Sequence, residues 1–248
     1  MRASLGDKMI YLMSDIHGHK EKFIKMLKII NFQHNDTLYV LGDVIDRGPD
    51  PLAVLQMVAD MRNAVFLVGN HEYMMYKSLT EKTYFYSWFE NGGEQTYYEF
   101  KKLGYIEQLY LLNYIKKSYA VIPNLYCDEK KYYLVHAAPL EKYIDNPIKF
   151  YKLKNGEIYN ILWDRKYTGK SKHKNNLKEH ELFRLYKNTT LICGHSRTEK
   201  CYFGEKNQDG YYHIAKANKG KLIDIDCGCA NNKLLGCLRL DDMKEFYV

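Results

Sequence analysis

The sequence predicts an α/β fold whose leading part is a parallel β-sheet. Three observations carry this. Apolar runs and helical stretches alternate as strand, helix, strand, helix, strand through residues 9–70. The polar ends of the three strands are evenly spaced, 28 residues from Asp15 to Asp43 and 27 from Asp43 to Asn70, about one β-α-β step of roughly 30 residues. Near the C-terminus, "KLIDIDCGC" and "LLGCLRLDDMKEFYV" read as strands of a second, antiparallel sheet.

"MIYLMSD" is the first strand and ends at Asp15. "HKEKFIKMLKIINF" sets Phe23, Leu27 and Ile30 at helical spacing. "TLYVLGD" is the second strand. Asp50 is placed to cap the next helix, "PLAVLQMVADMR", with Pro51 at the first helical position, where a missing N–H costs nothing. "AVFLVGN" is the third strand. From about Tyr73 to Pro123 the chain reads as mostly helical, with Gly104 as the C-cap of "SWFENGGEQTYYEFKKLG". Two more strands, "KYYLVHA" and "TLICGH", reach His136 and His195. The polar, basic stretch "DRKYTGKSKHKNNLK" between them reads as an exposed loop.

A chain of 248 residues can bury a sizeable core in one large domain or two small ones. Its net charge of +7 favours anionic partners without separating phosphate compounds from nucleic acid. None of the six cysteines forms a Cys-x-x-Cys pair, which argues against a zinc ribbon or a thioredoxin-type site. "MRASLGDK" lacks the apolar core of a signal peptide, and no apolar run approaches a membrane span. The expectation is a cytoplasmic protein with reduced thiols and no membrane partner.

The chemistry gathers at strand ends. "MSDIHG" brings Asp15 and His17, "LGDVIDRG" brings Asp43, Asp46 and Arg47, "VGNHE" brings Asn70 and His71, "LVHA" brings His136 and "CGHS" brings His195. Three of these endings are in register, at the sheet edge where open α/β folds bind ligands. A lone histidine after a strand is more often a structural residue, but five such endings form a pattern. Carboxylates crowded at one edge repel each other unless cations neutralise them. Carboxylate, imidazole and one amide oxygen together suit manganese, iron or zinc and fit calcium poorly. There are enough ligands for two ions with one aspartate shared, and such a pair can hold a hydroxide for in-line attack. Arg47 then has a purpose, because a planar guanidinium grips phosphoryl oxygens bidentately.

"SDIHG", "GDVIDRG", "GNHE", "VHA" and "CGHS", in this order, resemble the motifs of the calcineurin-like metallophosphoesterases. The Asp-Arg-Gly and Asn-His-Glu endings resemble the phosphoprotein phosphatase branch. "WFENGG", "ILWDR" and "LIDID" are similar to stretches of the phage lambda protein phosphatase and its bacterial relatives. The resemblance implies two mixed β-sheets in a sandwich flanked by helices, with residues 9–248 as one catalytic domain and residues 1–8 as an extension outside it. It implies one divalent ion, most often Mn2+ with iron or zinc as alternatives, on Asp15, His17 and Asp43. A second ion would sit on Asp43, Asn70, His136 and His195. Arg47 and Arg165 would bind the phosphoryl group, alongside Asn70. His71 would protonate the leaving oxygen, with Asp46 orienting it. Two departures stand out: Ser14 in place of the usual glycine, and Asp226 followed by Cys227 where relatives usually have threonine.

The expected activity is that of a metal-dependent phosphomonoesterase acting on phosphoserine or phosphothreonine in proteins, or on small phosphomonoesters. The alternative is a hydrolase of diadenosine tetraphosphate, which shares these motifs. A non-catalytic phosphate- or nucleic-acid-binding module is disfavoured, because it does not need a positioned acid such as His71. A dinucleotide requires extra walls around the metal edge. Residues 142–178 are the candidate wall, with Tyr143, Tyr151, Tyr159 and Tyr167 available for stacking and Lys166, Lys170, Lys172 and Lys174 for phosphates.

Overall fold

The computed structural model describes residues 8–169, 186 and 188–248. Among them, strands β1 (Ile10–Met13), β2 (Thr37–Val40) and β3 (Ala64–Phe66) pair in parallel, as the spacing predicts. Helices α1 (Lys20–Ile29) and α2 (Ala53–Asp60) form the crossovers. Asp50 and Pro51 do not cap α2: the helix begins two residues later, after Leu52, with no side-chain cap. Instead the Asp50 N–H donates to Gly18 O at 3.0 Å and its carbonyl accepts the Ala53 N–H. That turn tethers the loop after β2 to the loop after β1.

The segment after β3 is α3 (Asn70–Glu81), α4 (Phe85–Trp88), a π-turn over Phe89–Gly93, α5 (Glu94–Lys102) and α6 (Tyr105–Lys117). Gly104 caps the start of α6 rather than the end of α5, and its N–H donates to Glu107 Oε2 at 3.0 Å. The helical region ends earlier than predicted, because β4 (Tyr119–Cys127) includes Pro123. Next come β5 (Lys130–Val135), β6 (Ile148–Lys149), α7 (Asn155–Leu162), β7 (Thr189–Cys193), β8 (Ala215–Ala217), β9 (Leu222–Asp224), β10 (Gly236–Arg239) and β11 (Glu245–Tyr247).

Both sheets are mixed. Their orders are β11-β10-β1-β2-β3 and β6-β4-β5-β7-β9-β8 among the described residues. The C-terminal runs therefore do not build a sheet of their own. β9 extends the second sheet parallel to β7, whereas β10 joins the first sheet antiparallel to β1 and β11 lies at its edge antiparallel to β10.

Alternation along the strands shows how the layers pack. Leu12, Leu134, Ile192, Ile223 and Leu238 come from both sheets and share one buried cluster, the sandwich interior. Their neighbours Tyr11, Met13, Tyr133, Val135 and Leu191 join a second cluster with helix residues Phe23, Met26, Val54, Leu55, Val58 and Ile161. So one face of each sheet meets the other sheet and the opposite face meets helices. Each fully buried aliphatic or aromatic side chain in these layers contributes roughly 1.5–3 kcal/mol of transfer free energy. The strand ends are thus anchored on both sides, and the loops beyond them are held in place.

No described helix is long and apolar enough to cross a membrane. All six cysteines are unpaired and buried. Residues 1–7 of the N-terminal extension, and Lys170, Lys172 and Lys174 of the candidate wall, lie outside the described residues. The described part of that wall, residues 142–169, contains β6 and α7. Tyr143 and Tyr167 are buried there, whereas Tyr151 and Tyr159 are exposed.

Candidate active site

The loops that follow β1 and β2 run side by side. Asp15 N–H donates to Gly42 O at 3.0 Å, His17 N–H to Asp43 O at 3.0 Å and Gly18 N–H to Val44 O at 2.8 Å. This pairing forces an unusual backbone. Asp15, His17, Asp43, Asp46, Arg47 and His195 all have left-handed φ, between 46° and 69°. Such residues are uncommon outside glycine, and the conformation costs on the order of 1–3 kcal/mol each unless the surroundings over-determine it. Here they do. A Cβ at Gly69 would collide with Asp43 Oδ1, and one at Gly194 with Asp15 Oδ2. The sheet-edge loops therefore approach each other as closely as glycine allows.

Glu72 ties these loops together. Its carboxylate is fully buried and accepts N–H groups from Asp43 at 2.9 Å, Val44 at 2.8 Å and Gly69 at 2.9 Å. Burial, and then the neighbouring Asp43 charge, push its pKa up to about 7, although the backbone donors pull the other way. Glu72→Gln replaces an acceptor oxygen with an NH2 that faces N–H donors. The expected cost is about 2–4 kcal/mol, the scale of charged hydrogen bonds lost in a buried site. Chemical denaturation of the metal-free variant checks this, and a loss below about 1 kcal/mol would show the clamp to be dispensable.

The histidines are oriented by backbone carbonyls. His17 Nδ1 lies 2.8 Å from Ile45 O, and His136 Nδ1 lies 2.7 Å from Leu41 O. In both rings Nε2 is left facing Asp43 Oδ2, at 3.7 and 3.4 Å. His195 uses Nε2 for Trp163 O at 3.1 Å, which leaves Nδ1 for the site. Asn70 Oδ1 is 3.1 Å from His136 Nε2. Two groups result, His17–Asp43–His71 and Asp43–His136–His195, with ligand atoms within 4.8 Å of one another inside each and Asp43 in both. Imidazoles pinned through one nitrogen to a carbonyl, with the other directed at a shared carboxylate, are what a metal site requires of its supporting residues. The donor set fits divalent transition ions.

Electrostatics agree with that fit. Burial opposes charge on Asp43, but His136 and His71 outweigh it and hold the carboxyl well below its usual range. Asp15 goes the other way, up to about 6, chiefly through burial and despite His136. Burial also drives His17 and His195 well below the ordinary histidine range. Ser14, in place of the expected glycine, donates its hydroxyl to Asp15.

His71 and Arg47 complete the edge. His71 Nδ1 is 2.6 Å from Asp46 Oδ2, and its backbone N–H donates to Asp43 Oδ1 at 3.0 Å. Asp46 is fully buried and also accepts Trp88 Nε1 at 2.9 Å and the Thr96 hydroxyl. Three donors fix that carboxylate, and it in turn fixes the imidazole. Arg47 Nη1 and Nη2 lie 3.1 Å from His17 Nε2 and 2.8 Å from His71 Nε2, and its Nε donates to Asn91 O. The guanidinium edge thus spans the space between the two histidines, where a phosphoryl group would meet both. A cavity of about 390 Å³ is lined by Asp15, His17, Asp43, Arg47, Asn70, His71, Arg165 and His195, together with Arg197 and Asp226.

The family model described as calcineurin-like phosphoesterase matches residues 8–220. The chain belongs to the calcineurin-like phosphoesterase family. Curated relatives named symmetrical bis(5'-nucleosyl)-tetraphosphatase match a shorter stretch. The one from Wigglesworthia glossinidia brevipalpis is 47% identical over 64 residues, 25% of this chain and 24% of the relative. That from Proteus mirabilis is 44% identical over 64 residues, 25% of this chain and 23% of the relative. The chain thus covers about a quarter of the length of these relatives. A solved structure provisionally assigned as a diadenosine tetraphosphatase superposes with a TM-score of 0.65 at 15% identity, covering 99% of this chain and 95% of the other. A protein serine/threonine phosphatase from Saccharomyces cerevisiae superposes at 0.60 with 14% identity, covering 99% and 80%. At these identities the likeness is one of fold, and it agrees with the expected two-sheet sandwich.

In this phosphoesterase the strand-end residues singled out from sequence lie at one cavity. Asp15, expected beside His17 and Asp43, is however in neither ligand group, and His71, read as the acid, takes its place in one. Arg165 reaches the same cavity as Arg47, while Asp46 and His136 are fully buried behind it. Other residues at the site had no signal in the strand-end pattern. Trp88 and Thr96 hold Asp46 from α4 and α5, and Glu72 follows His71 in the same quoted motif without an assigned role. Arg197, two residues beyond His195, was hidden in an ordinary "SRT". Asp226 lines the cavity, and burial and then Asp15 push its carboxyl well above the usual range.

Proposed function

We propose that residues 9–248 form a single catalytic domain that hydrolyses the polyphosphate chain of bis(5'-nucleosyl) tetraphosphates. The observation that carries this reading is the extent of the cationic surface. Arg165, Arg197 and Lys200, with His195 and Gly169, line a second cavity of about 410 Å³ adjoining the first. Arg165, Arg197 and His195 line both. A phosphomonoester needs cations for one phosphoryl group, and Arg47 with Arg165 supplies them. A tetraphosphate carries charge over several phosphates, which Lys200 and Arg197 can meet, although Arg197 also donates to Asn231 and pairs with Glu199 at 3.4 Å. The names of the curated relatives support the same choice over a phosphoserine or phosphothreonine protein.

Asp15, His17, Asp43, Asn70, His136 and His195 would hold two divalent ions, Mn2+ being the first choice with iron or zinc as alternatives. When bound, such ions supply positive charge to the reacting phosphate and an activated water. Arg47 and Arg165 orient the attacked phosphoryl group, and Arg197 and Lys200 hold the rest of the chain. His71, aligned by Asp46 through Nδ1, presents Nε2 to the departing oxygen. That nitrogen accepts from Arg47 here and can carry the proton to be delivered once the guanidinium turns to the phosphoryl oxygens. Water adds at an inner phosphorus, the central bridging P–O bond breaks, and two nucleoside diphosphates leave. The nucleotide substrate and the six unpaired thiols both accord with a cytoplasmic location.

A substrate panel with manganese present tests the reading. Diadenosine tetraphosphate is expected to give adenosine diphosphate as sole product, with kcat/KM at least about tenfold above any phosphoserine or phosphothreonine peptide, a gap of about 1.4 kcal/mol. The reverse order would restore the protein-phosphatase reading.

A further inference from the structure

Beside the metal edge lies a cavity of about 520 Å³ with aromatic walls, lined in part by Tyr73, Tyr84, Tyr159, Trp163, Ile158 and Asn155. Neither the cationic surface nor the acid machinery uses it. Trp163 alone lines both this cavity and the one over the clustered histidines. From these contacts we infer that it is a base-binding slot, taking a purine ring of the nucleotide between Tyr84 and Trp163. This rests on the nucleotide reading above and adds to it the residues that recognise the base.

The ring geometry is the main support. Tyr84 and Trp163 face each other nearly parallel, with centroids 6.4 Å apart and planes 24° apart. That separation falls within the range of an offset aromatic pair, so the two rings interact with each other in the empty slot. A ring held face to face on both sides needs two contacts of about 3.5–4 Å, or roughly 7–8 Å in all. The two rings, the jaws of the slot, therefore have to part for a planar ring to enter between them. Tyr73 closes the floor, edge-on to both jaws, with centroids 5.2 Å from Tyr84 and 5.4 Å from Trp163. Edge-to-face contacts of this kind hold the jaw rings upright. At the rim, Tyr84 is 44% exposed and Tyr159 is 64% exposed, so the slot opens outward. Asn155 supplies hydrogen-bonding capacity at the wall, which a heterocyclic base can use and a hydrocarbon cannot.

The spacing from the phosphate site suits a nucleotide. Tyr73 lies three residues after Asn70 in α3, about 4.5 Å along the helix axis. Trp163 lies two residues before Arg165. In an aryl phosphate the ring is bonded to the phosphoryl oxygen itself and would stay over the metals. In a dinucleoside tetraphosphate attacked at an inner phosphorus, the outer phosphate and the ribose intervene and carry the base aside, toward the slot. Lys77 and Glu81 pair at 2.6 Å on the adjoining wall, so they add no net charge. Stacking and shape, rather than charge, set what enters.

Calorimetric titration of the metal-loaded protein with adenosine monophosphate and with ribose 5-phosphate tests the slot without turnover. The two ligands share phosphate and sugar, so the difference reports the base. Adenosine monophosphate is expected to bind about tenfold tighter or better, the scale of base–aromatic stacking. Tyr84→Leu and, separately, Tyr159→Ala change exposed rings and should leave the fold intact. Tyr84→Leu should erase most of the preference for the base-bearing ligand. Equal affinity of the two ligands for the wild type would overturn the inference, as would an undiminished preference in Tyr84→Leu. If the preference is present but diadenosine tetraphosphate is not hydrolysed, the substrate reading falls and the slot stands. If the dinucleotide is hydrolysed with no base preference, the slot falls and the substrate reading stands.

Discussion

Asp43→Ala is expected to lower turnover by about 10³-fold or more, since the charge stabilisation from bound ions is worth several kcal/mol and each 1.36 kcal/mol is tenfold in rate. Asp43 alone belongs to both candidate metal groups, and its two oxygens face different partners. Oδ2 looks toward His136, His17 and His71, while Oδ1 accepts the His71 N–H. Removing it strips a ligand from each group at once and takes from His17, His71 and His136 the carboxylate they share. Exhaustive chelation of the wild type should have the same result, with recovery on adding Mn2+. Elemental analysis of both proteins is the check. Full turnover with only traces of metal would sink the two-ion arrangement. Acid should weaken reloading in a defined way. Burial resists charge on His136, yet Asp43 and Asp15 raise its pKa to about 10 in the metal-free protein. An incoming ion must displace that proton, so affinity should climb as pH rises toward 10. Asp15, raised to about 6, takes up its own proton as pH falls through 6, and affinity should drop further there.

Strand ends were legible in the sequence because alternation and even spacing are local properties. Asp15, Asp43 and Asn70 follow directly from two β-α-β steps, and His136 and His195 from apolar runs that each stop at a histidine. What was not legible depends on contacts far apart in the chain. Trp88 and Thr96 reach Asp46 from 42 and 50 residues away, and nothing in "WFENGGEQT" announces that. Gly104 was misassigned for a different reason. A glycine between two helices suits the end of one or the start of the next, and Glu107, three residues on, settled it by accepting the Gly104 N–H. β4 was missed because Pro123 sits in it, and proline is normally a mark against a strand. Here the pairing shifts register between Ile122 and Leu125, and the proline falls inside that irregularity. The division of the C-terminal strands between sheets follows the layering. β9 carries Ile223 into the sandwich interior from the second sheet, and β10 carries Leu238 into it from the first. Both runs read alike in sequence, and only packing distinguishes them.

His71→Asn should reduce kcat by roughly 10²–10⁴ on a phosphoserine peptide while both metal groups stay loaded, the usual worth of a general acid. The size of the loss should depend on the leaving group. A serine alkoxide departs badly without a proton, so the loss is greatest there. An aryl oxide departs more easily, and a nucleoside diphosphate is already a stabilised anion, so p-nitrophenyl phosphate and diadenosine tetraphosphate should lose less. The geometry supports a proton donor in this position: Asp46 holds Nδ1 at 2.6 Å, which turns Nε2 toward Arg47 and the phosphoryl space. Asparagine preserves a side-chain dipole near Asp46 but cannot deliver a proton at that distance. His71 also lies among the potential ligands of one metal group, with Nε2 4.0 Å from Asp43 Oδ2, so the metal content of the variant is part of the measurement. A uniform loss across all three substrates, accompanied by loss of one equivalent of metal, would make His71 a ligand instead of the acid. A graded loss with both ions retained assigns it the proton, and the slope of log kcat against leaving-group pKa should steepen in the variant relative to the wild type.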